Sequence, residues 1–265
     1  MMSRIGKRFD ELKSAGEKAL ICFVTAGDPD LETTGKIVVE MAKAGADIVE
    51  LGIPFSDPIA DGPSIQAASM RSLEKGTNVA SILGLVRSIR KESDVPLVLM
   101  TYFNPILHYG LEKFATDAAS AGADGVILSD LTPEEAGEWK SLADSNGIDT
   151  IFLLAPTSTE PRIEGVAKLA SGFIYCVSRT GVTGAQTEMA QGVRELVTSI
   201  RARTSKPIVV GFGISKPEHV REVCGYADGA IVGSLLVDLI ASKGNTQAMF
   251  SELRQIVSAL KSGTR

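Results

Sequence analysis

The sequence predicts a single α/β domain over residues 1–265, folded as a closed (β/α)8 barrel (a TIM barrel). Three observations predict this fold. Short segments rich in β-branched residues recur along the chain, helix-like segments separate them, and most of the short segments are continuously apolar. Continuous apolar runs are typical of strands that are buried on both faces, as in parallel sheets. Eight strand–helix units fit a barrel of about 250 residues.

The eight predicted strands share an apolar interior. They are Ala19–Thr25, Asp47–Gly52, Pro96–Tyr102, Asp124–Ser129, Asp149–Ala155, Gly172–Ser178, Pro207–Gly213 and Asp228–Gly233. An open doubly wound sheet is the competing architecture. No G-x-G-x-x-G motif opens a helix after the first strand, which argues against the dinucleotide-binding form of that sheet.

A weak internal repeat supports a structure built from similar units. In each copy a helix exit is followed by an aspartate at the entrance of a strand. The copies are Ala44–Asp47, Ala121–Asp124, Asn146–Asp149 and Tyr226–Asp228.

Apolar periodicity and capping residues predict the helices. Asp30–Ala44 is periodic, and Asn78 is placed to cap Val79–Lys91. Thr132, followed by Pro133 and then Glu135, predicts a helix that starts with Thr132 as N-cap and stops at Gly147. A final helix is predicted at Thr246–Lys261.

Three connections are longer than the others, which leaves room for extra short helices in the βα loops. They are Ile53–Gly76, with a short helix predicted at Ser64–Lys75, and then Arg179–Glu188 and Ser234–Ile240. In a barrel these loops lie at the C-terminal face, where active sites are built.

Composition excludes several classes of function. Lys plus Arg is 27 and Asp plus Glu is 32, a net charge of −5 that gives no electrostatic reason to expect nucleic acid. Two histidines and three widely spaced cysteines supply a metal site poorly, so we expect no metal. Neither a signal peptide nor a membrane span is visible. We therefore expect a cytoplasmic protein, or a stromal one if the source is a plant plastid.

Carboxylates at one strand end are the candidate catalytic groups. Glu50 lies inside the apolar run Ile48–Gly52, where a charge is costly unless it is used or paired. Asp57 and Asp61 follow in the next loop, and two acids from one βα unit can move protons at different atoms of a small substrate. A paired structural carboxylate is the alternative for Glu50, and turn formation is the alternative for the two aspartates.

Glycines at the ends of later strands indicate a phosphate site. They lie in Gly181–Gly184, Gly211–Ser215 and Gly233–Ser234, where backbone N–H groups and a helix N-terminus can approach an anion. Tight turns are the alternative. No lysine occupies the C-terminal half of a predicted strand, so Schiff-base chemistry lacks its amine. Proton transfer by carboxylates on a small phosphorylated substrate remains.

The segment Val49–Pro63 closely resembles the signature of the tryptophan synthase alpha subunit family. Four further motifs match in family order, so that the resemblance covers nearly the whole chain. They are Thr25–Pro29, Tyr102–Pro105, Ser178–Gly184 and Gly211–Ser215. The acidic segment is specific to the family, whereas the glycine loops alone would not be.

The resemblance implies a lyase that reversibly cleaves indole-3-glycerol phosphate to indole and glyceraldehyde 3-phosphate. The complete enzyme is a carbon–oxygen lyase, and the alpha reaction is an aldol-type carbon–carbon cleavage. Carried over by position, Glu50 is the general acid and base at indole C3 and at the glycerol hydroxyl. Asp61 accepts a hydrogen bond from the indole N–H.

The resemblance also implies the residues that bind the substrate. Tyr175 lies near Glu50 and the substrate, although an inward barrel aromatic is an equal reading, and Thr183 closes over Asp61. The predicted indole pocket comprises Phe23, Leu128, Phe212 and Ile214, and the predicted phosphate site comprises Gly184, Gly213, Gly233 and Ser234. Asp57 and Asp130 are expected to order loops or to contact a partner.

A separate beta subunit that carries pyridoxal phosphate is the implied partner. Indole passes to it through a channel in an αββα tetramer, and no cofactor is implied in this chain. Three alternatives stay open. They are another phosphate-binding barrel, such as indole-glycerol-phosphate synthase or phosphoribosylanthranilate isomerase, a non-catalytic activator of a partner, and a stand-alone lyase that releases indole.

Overall fold

Eight parallel strands close into a barrel in the part of the chain that the computed structural model describes, which is residues 3–177, 186–211 and 213–265, with the backbone alone for 186–191. The strands are β1 (Ala19–Thr25), β2 (Ile48–Gly52), β3 (Leu97–Thr101), β4 (Gly125–Leu128), β5 (Asp149–Leu154), β6 (Ile174–Val177), β7 (Ile208–Gly211) and β8 (Gly229–Val232). Each strand pairs with the next one, and β8 pairs with β1. The predicted (β/α)8 barrel is confirmed.

The predicted strands agree with these bounds to within about two residues at each end. The sixth was predicted to end at Ser178, which lies outside the described residues, as does most of the predicted Arg179–Glu188 connection. The seventh was predicted to reach Gly213, but β7 ends at Gly211.

Twelve helices occur in the described part of the chain. They are α1 (Arg4–Ala15), α2 (Leu31–Ala44), α3 (Pro63–Glu74), α4 (Val79–Ile89), α5 (Phe103–Tyr109), α6 (Leu111–Ala121), α7 (Gly137–Ser145), α8 (Glu160–Leu169), α9 (Gln186–Arg201), α10 (Pro217–Cys224), α11 (Ser234–Lys243) and α12 (Gln247–Ser262). The predictions for α2, α3, α4 and α12 are confirmed, including the Asn78 cap, and Asp30 is the N-cap of α2. None of these helices is both long enough and apolar enough to cross a bilayer.

The helix predicted to start at Thr132 starts at Gly137 instead. The Thr132 hydroxyl donates to the Glu135 carboxylate (3.0 Å), so the two side chains of the expected capping box bond to each other. The Glu135 N–H donates to the Thr132 carbonyl (3.1 Å), which closes a turn. Side chains that satisfy each other leave the backbone free to form this turn before the helix begins.

Strand alternation divides most of the buried apolar strand residues into two clusters, and Phe23 belongs to a small third cluster with Ala68 and Val237. Residues that point into the barrel form an inner cluster, and residues on the outer faces pack against the helices. The inner cluster contains Ala19, Ile21, Ile48, Val98, Ile127, Ile151, Phe173, Val209 and Ile231 from the strands.

Helix α1, which was not predicted, covers the N-terminal end of the barrel. Its buried residues Ile5, Phe9 and Leu12 join the inner cluster, and the Phe9 and Phe173 rings lie 6.0 Å apart. The barrel interior is thus filled with apolar side chains at this end, and a polar site is left to the C-terminal end.

Three of the four repeated aspartates join neighbouring strands at the same N-terminal end. The carboxylates of Asp47, Asp124 and Asp228 accept from the N–H groups of Leu20 (2.7 Å), Leu97 (2.8 Å) and Ile208 (3.0 Å). Each aspartate precedes an even-numbered strand and binds the odd-numbered strand before it. The sequence repeat therefore has a structural role.

We expect Asp124→Ala to lower the free energy of unfolding by about 3–5 kcal/mol, because it leaves a largely buried guanidinium without its carboxylate. Arg90, whose side chain is 11% exposed, donates to Asp124 at 2.5 Å, and Arg4 donates at 2.9 Å. Urea unfolding measures the change. Glu32→Ala is the control, because its pair with Lys36 is exposed and should cost less than about 1 kcal/mol. Equal losses in the two variants would contradict the role of Asp124.

Candidate active site

Small residues at inward positions leave room for two aromatic rings at the C-terminal mouth of the barrel. A Cβ added to Gly52 would lie 2.6 Å from the Phe23 ring, and one added to Gly211 would overlap the Tyr175 hydroxyl. Gly233 also faces Phe23, at 3.6 Å from such a Cβ. The three glycines therefore let Phe23 and Tyr175 lie across the mouth, as large and small residues alternate in barrel interiors.

Glu50 lies in this apolar interior. It is the central residue of β2, in register with Phe23 on one side and Val98 on the other. The side chain is 0% exposed, and neither carboxyl oxygen has a hydrogen-bond partner among the described residues. Burial raises the pKa of Glu50 to about 8, so that the group is mainly protonated at pH 7.

Tyr175 shares the interior with Glu50. Burial raises the pKa of the Tyr175 phenol well above its ordinary value, and the nearby Glu50 and Asp61 carboxylates raise it further. The tyrosine therefore remains neutral at physiological pH and can donate a hydrogen bond. Tyr175 was predicted to lie near Glu50 and the substrate, and the structure places it within electrostatic reach of both Glu50 and Asp61.

Asp61 lies in the loop between β2 and α3. Burial raises the pKa of Asp61 to about 6, and a hydrogen bond from the Tyr102 hydroxyl opposes this rise. The carboxylate is therefore mainly ionised at pH 7, while Glu50 retains its proton. Two acids from one βα unit thus differ in charge state because one is enclosed and the other lies at the mouth.

Tyr102 is a site residue for which no role was predicted. Its hydroxyl accepts from the Ala60 N–H (2.9 Å), and its ring lies 5.3 Å from that of Phe55. Burial raises the pKa of Tyr102 to about 12, and the Asp61 charge contributes to the rise. Its position at the end of a predicted strand, inside a family motif, was the signal that could have found it.

The same loop is also fixed from α3. The Gln66 amide donates to the Asp61 carbonyl (2.9 Å), and the Asp61 N–H donates to the Pro58 carbonyl (3.0 Å). The backbone that carries Asp61 is therefore held by contacts from two neighbouring elements. Gln66 was not predicted either, because a polar residue on a surface helix gives no such signal.

The predicted indole pocket needs one correction. Leu128 packs in the outer cluster between the strands and the helices, whereas Ile127 lies in the inner cluster. Adjacent strand residues point to opposite faces, so a shift of one position changes the side of the sheet. Ile214 is also buried in the outer cluster and is not brought together with Phe23, whereas Phe212 lies outside the described residues.

The predicted phosphate site is described in part. Gly213 follows β7 with a φ of +42°, a left-handed conformation that favours glycine. Gly233 is the N-cap of α11 and Ser234 its first residue, and no described side chain caps this helix. Its first N–H groups can therefore bind an anion. Thr183 and Gly184 lie outside the described residues.

Histidine, cysteine and carboxylate side chains form no metal-binding cluster in the described ranges. No group of three or more of them there could hold an ion.

Comparison with known proteins identifies the family. The tryptophan synthase alpha chain model matches residues 9–265. This chain belongs to the tryptophan synthase alpha chain family. The alpha chain of Geotalea uraniireducens is 53% identical over 264 residues, which is 100% of this chain and 98% of the relative. That of Citrifermentans bemidjiense is 55% identical over 262 residues, or 99% of this chain and 98% of the relative.

Solved structures of the alpha family agree with the fold. The alpha subunit of Legionella pneumophila superposes with a TM-score of 0.91 at 36% identity, covering 100% of this chain and 99% of the other. A chain of tryptophan synthase from M. tuberculosis, in an aminoacrylate-bound form, gives 0.90 at 35% identity, with coverage of 99% and 100%. The known role of the tryptophan synthase alpha family is to pass indole to a beta subunit.

We expect the stability of Glu50→Gln, relative to that of the wild type, to be higher at pH 8 than at pH 5. The folded pKa of about 8 lies above the unfolded value of 4.5, so the contribution of Glu50 is full below pH 4.5 and is lost as pH rises through 8. Glutamine does not ionise and removes this loss, which amounts to a few kcal/mol at most. Urea unfolding at both pH values measures the difference.

Glu40→Gln is the matched control for this stability change. Hydrogen bonds from Arg254 and Lys43 lower the pKa of Glu40, so its contribution is already present at pH 5 and stays constant to pH 8. This variant should lose stability about equally at both values. A Glu50→Gln variant with the same pH slope as the wild type would show that Glu50 is ionised in the folded chain.

Proposed function

We propose that this chain cleaves indole-3-glycerol phosphate reversibly to indole and glyceraldehyde 3-phosphate, with Glu50 as the acid and base. One observation carries the proposal, which is a carboxyl group buried at the end of an apolar barrel with a pKa of about 8. A second acid, Asp61, has a pKa of about 6 and supplies the opposite charge state at neutral pH. Membership of the tryptophan synthase alpha family supports this reaction.

The reaction needs a place for the electrons of the broken bond. The protonated Glu50 gives its proton to indole C3, which makes the ring an iminium-like cation. The bond between C3 and the glycerol carbon then breaks, and its electron pair restores the indole ring. The glycerol hydroxyl on that carbon loses its proton to the Glu50 carboxylate as the aldehyde forms, so the acid is regenerated.

Asp61 stabilises the cation that this sequence creates. Its carboxylate accepts from the indole N–H and lies closest to the positive charge in the protonated ring. The hydrogen bond to an ionised acceptor becomes stronger as positive charge develops on the indole ring. An interaction that is stronger in the transition state than in the ground state lowers the activation barrier. In this proposal the substrate's own ring is the electron sink, and neither lysine nor metal is required.

Substrate binding in this proposal combines an apolar slot with a backbone anion site. Phe23 and Ile127 contact the indole ring, and Tyr175 lies beside the reacting carbon. Gly233 and Ser234 hold the phosphate through N–H groups at the start of α11, Gly213 contributes from the segment after β7, and Gly184 joins them. The roles of Gly184, Thr183 and Phe212 are supported by the family motifs alone.

A beta subunit carrying pyridoxal phosphate is the proposed partner, in an αββα tetramer located in the cytoplasm. The similarity to a chain of M. tuberculosis tryptophan synthase supports a beta partner. Three large apolar residues are exposed, Ile59 in the β2–α3 loop (84%), Met70 on α3 (61%) and Leu107 on α5 (52%), and apolar surface of this kind is available for a protein contact. In this proposal the chain, as one domain over residues 1–265, binds no cofactor itself.

We expect Glu50→Gln to lower kcat for indole release by about 10²–10⁴-fold, because the acid and base are lost while the shape is kept. Asp61→Asn should be severely impaired as well, since a neutral amide stabilises the cation less. Release of indole from indole-3-glycerol phosphate, with and without a beta subunit, measures both. Glu40→Gln is the control and should retain wild-type turnover. Full activity in Glu50→Gln would exclude its assigned role.

We also expect a bell-shaped dependence of kcat/KM on pH. Activity should rise as Asp61 ionises near pH 6 and fall as Glu50 loses its proton near pH 8. A phosphate monoester also titrates near pH 6, so the acid limb needs a second test. Tyr102→Phe removes the hydrogen bond that lowers the Asp61 pKa and should move this limb upward. An acid limb that does not move belongs to the phosphate.

A further inference from the structure

The loop after β4 caps a helix that belongs to the preceding βα unit. Asp130 accepts from the Phe103 N–H through its Oδ1 atom at 2.7 Å. Phe103 is the first residue of α5, and the side chain of its N-cap residue, Tyr102, makes no capping hydrogen bond. The orphan N–H at this helix start is thus satisfied by a carboxylate from outside the helix.

Phe103, whose N–H is bound by Asp130, directly follows Tyr102, and Tyr102 contacts the loop that carries Asp61. Tyr102 accepts from the Ala60 N–H (2.9 Å) and donates to the Asp61 carboxyl group. Three consecutive βα loops are therefore joined in one series of contacts, from Asp130 to the Tyr102–Phe103 backbone and then to Asp61. From the family resemblance, Asp130 was expected to order a loop or to contact a partner.

We propose that Asp130 is a positioning residue for the acid Asp61. It fixes the first turn of α5 and thereby the direction of the Tyr102 side chain, which in turn orients the Asp61 carboxylate. Asp130 itself does not contact the substrate. The proposal rests on the proposed function, because it assigns a support to the Asp61 of that site.

The physical basis is the short length of α5. Seven residues have little stability of their own, so the start of this helix depends on its cap. Tyr102 has extended backbone angles (φ −99°, ψ 164°) at the N-cap position. It is held there by the hydrogen bond from the N–H of the next residue, Phe103, to Asp130. A displacement of about 1 Å at a catalytic group can cost on the order of 100-fold in rate.

The experiment measures kcat and KM for indole release by the isolated chain and four variants of two residues. They are Asp130→Ala, Asp130→Asn, Tyr102→Phe and the double variant Asp130→Ala with Tyr102→Phe. We expect Asp130→Ala to lower kcat by about 10-fold with a change in KM below about twofold. Asp130→Asn should restore most of the rate, because its amide oxygen still accepts. The double variant should be no slower than Tyr102→Phe alone.

Asp30→Ala is the matched control. Asp30 caps α2 by accepting from the Thr33 N–H at 2.7 Å, so this variant also loses an aspartate cap. It should keep the wild-type kcat. This result would distinguish the general effect of losing a helix cap from the specific loss of the bond between Asp130 and Phe103.

A readout that needs no turnover is the proton chemical shift of the Ala60 amide, which reports its bond to Tyr102. We expect the same direction of shift in Asp130→Ala and Tyr102→Phe, and none in Asp30→Ala. If the wild type released no indole, the proposed function would fail, and this resonance would still decide whether Asp130 orients Tyr102.

Two outcomes would overturn the proposal. In the first, the double variant is slower by the product of the two single effects, which means that the residues act independently. In the second, Asp130→Ala keeps the wild-type kcat and the Ala60 shift, and loses only affinity for a beta subunit. Asp130 would then be a partner contact.

Discussion

Glu50 occupies an inward position of β2, where strand alternation turns its carboxyl group into an apolar interior without a hydrogen-bond partner among the described residues. Such a group is expensive to bury in its charged form, and it therefore keeps its proton at neutral pH. The proposed chemistry depends on this cost, because an exposed glutamate would already be ionised and could not protonate a carbon atom. The remainder of the fold maintains the apolar environment that makes the ionised form of Glu50 costly.

The two ends of the barrel contribute differently to that environment. At the N-terminal end, α1 fills the interior with Ile5, Phe9 and Leu12, and aspartates fasten neighbouring strands. At the C-terminal end, glycines open the space that Phe23 and Tyr175 occupy. Stability is thus concentrated at one end and the reactive groups at the other, which is the usual division in this fold.

Asp61 complements Glu50 because its surroundings are different. It lies on a loop at the mouth, where burial is partial and Tyr102 supplies a hydrogen bond to the ionised form. One βα unit therefore carries both a proton donor, Glu50 on β2, and an anion, Asp61 on the loop that follows. The charge states follow from enclosure, and a metal or a lysine is not needed to create them.

The sequence predicted most of the fold and the two central acids. Continuous apolar runs located the eight strands because parallel barrel strands are buried on both faces, and Glu50 stood out as the one carboxylate inside such a run. The errors have local causes. Thr132 and Glu135 bond to each other and delay the helix. Leu128 was carried over from the family by position, and the inward-facing residue of this strand is its neighbour Ile127, because a shift of one residue changes the face.

Contacts between loops that are distant in sequence could not be predicted from the sequence. The link from Asp130 to Phe103 crosses 27 positions, and no local pattern marks either partner. The role of Tyr102 depends in the same way on the Ala60 N–H, which the folded β2–α3 loop brings to its hydroxyl. Sequence patterns report which residues are buried and periodic, whereas tertiary hydrogen bonds depend on the completed barrel.

The most direct test of the account is the protonation state of Glu50 itself. Infrared difference spectra between the wild type and Glu50→Gln, recorded from pH 5 to pH 9, isolate the carbonyl stretch of this one carboxyl group. The account predicts a protonated acid at pH 7 that titrates near pH 8. A carboxylate band that is already fully developed at pH 6 would contradict it.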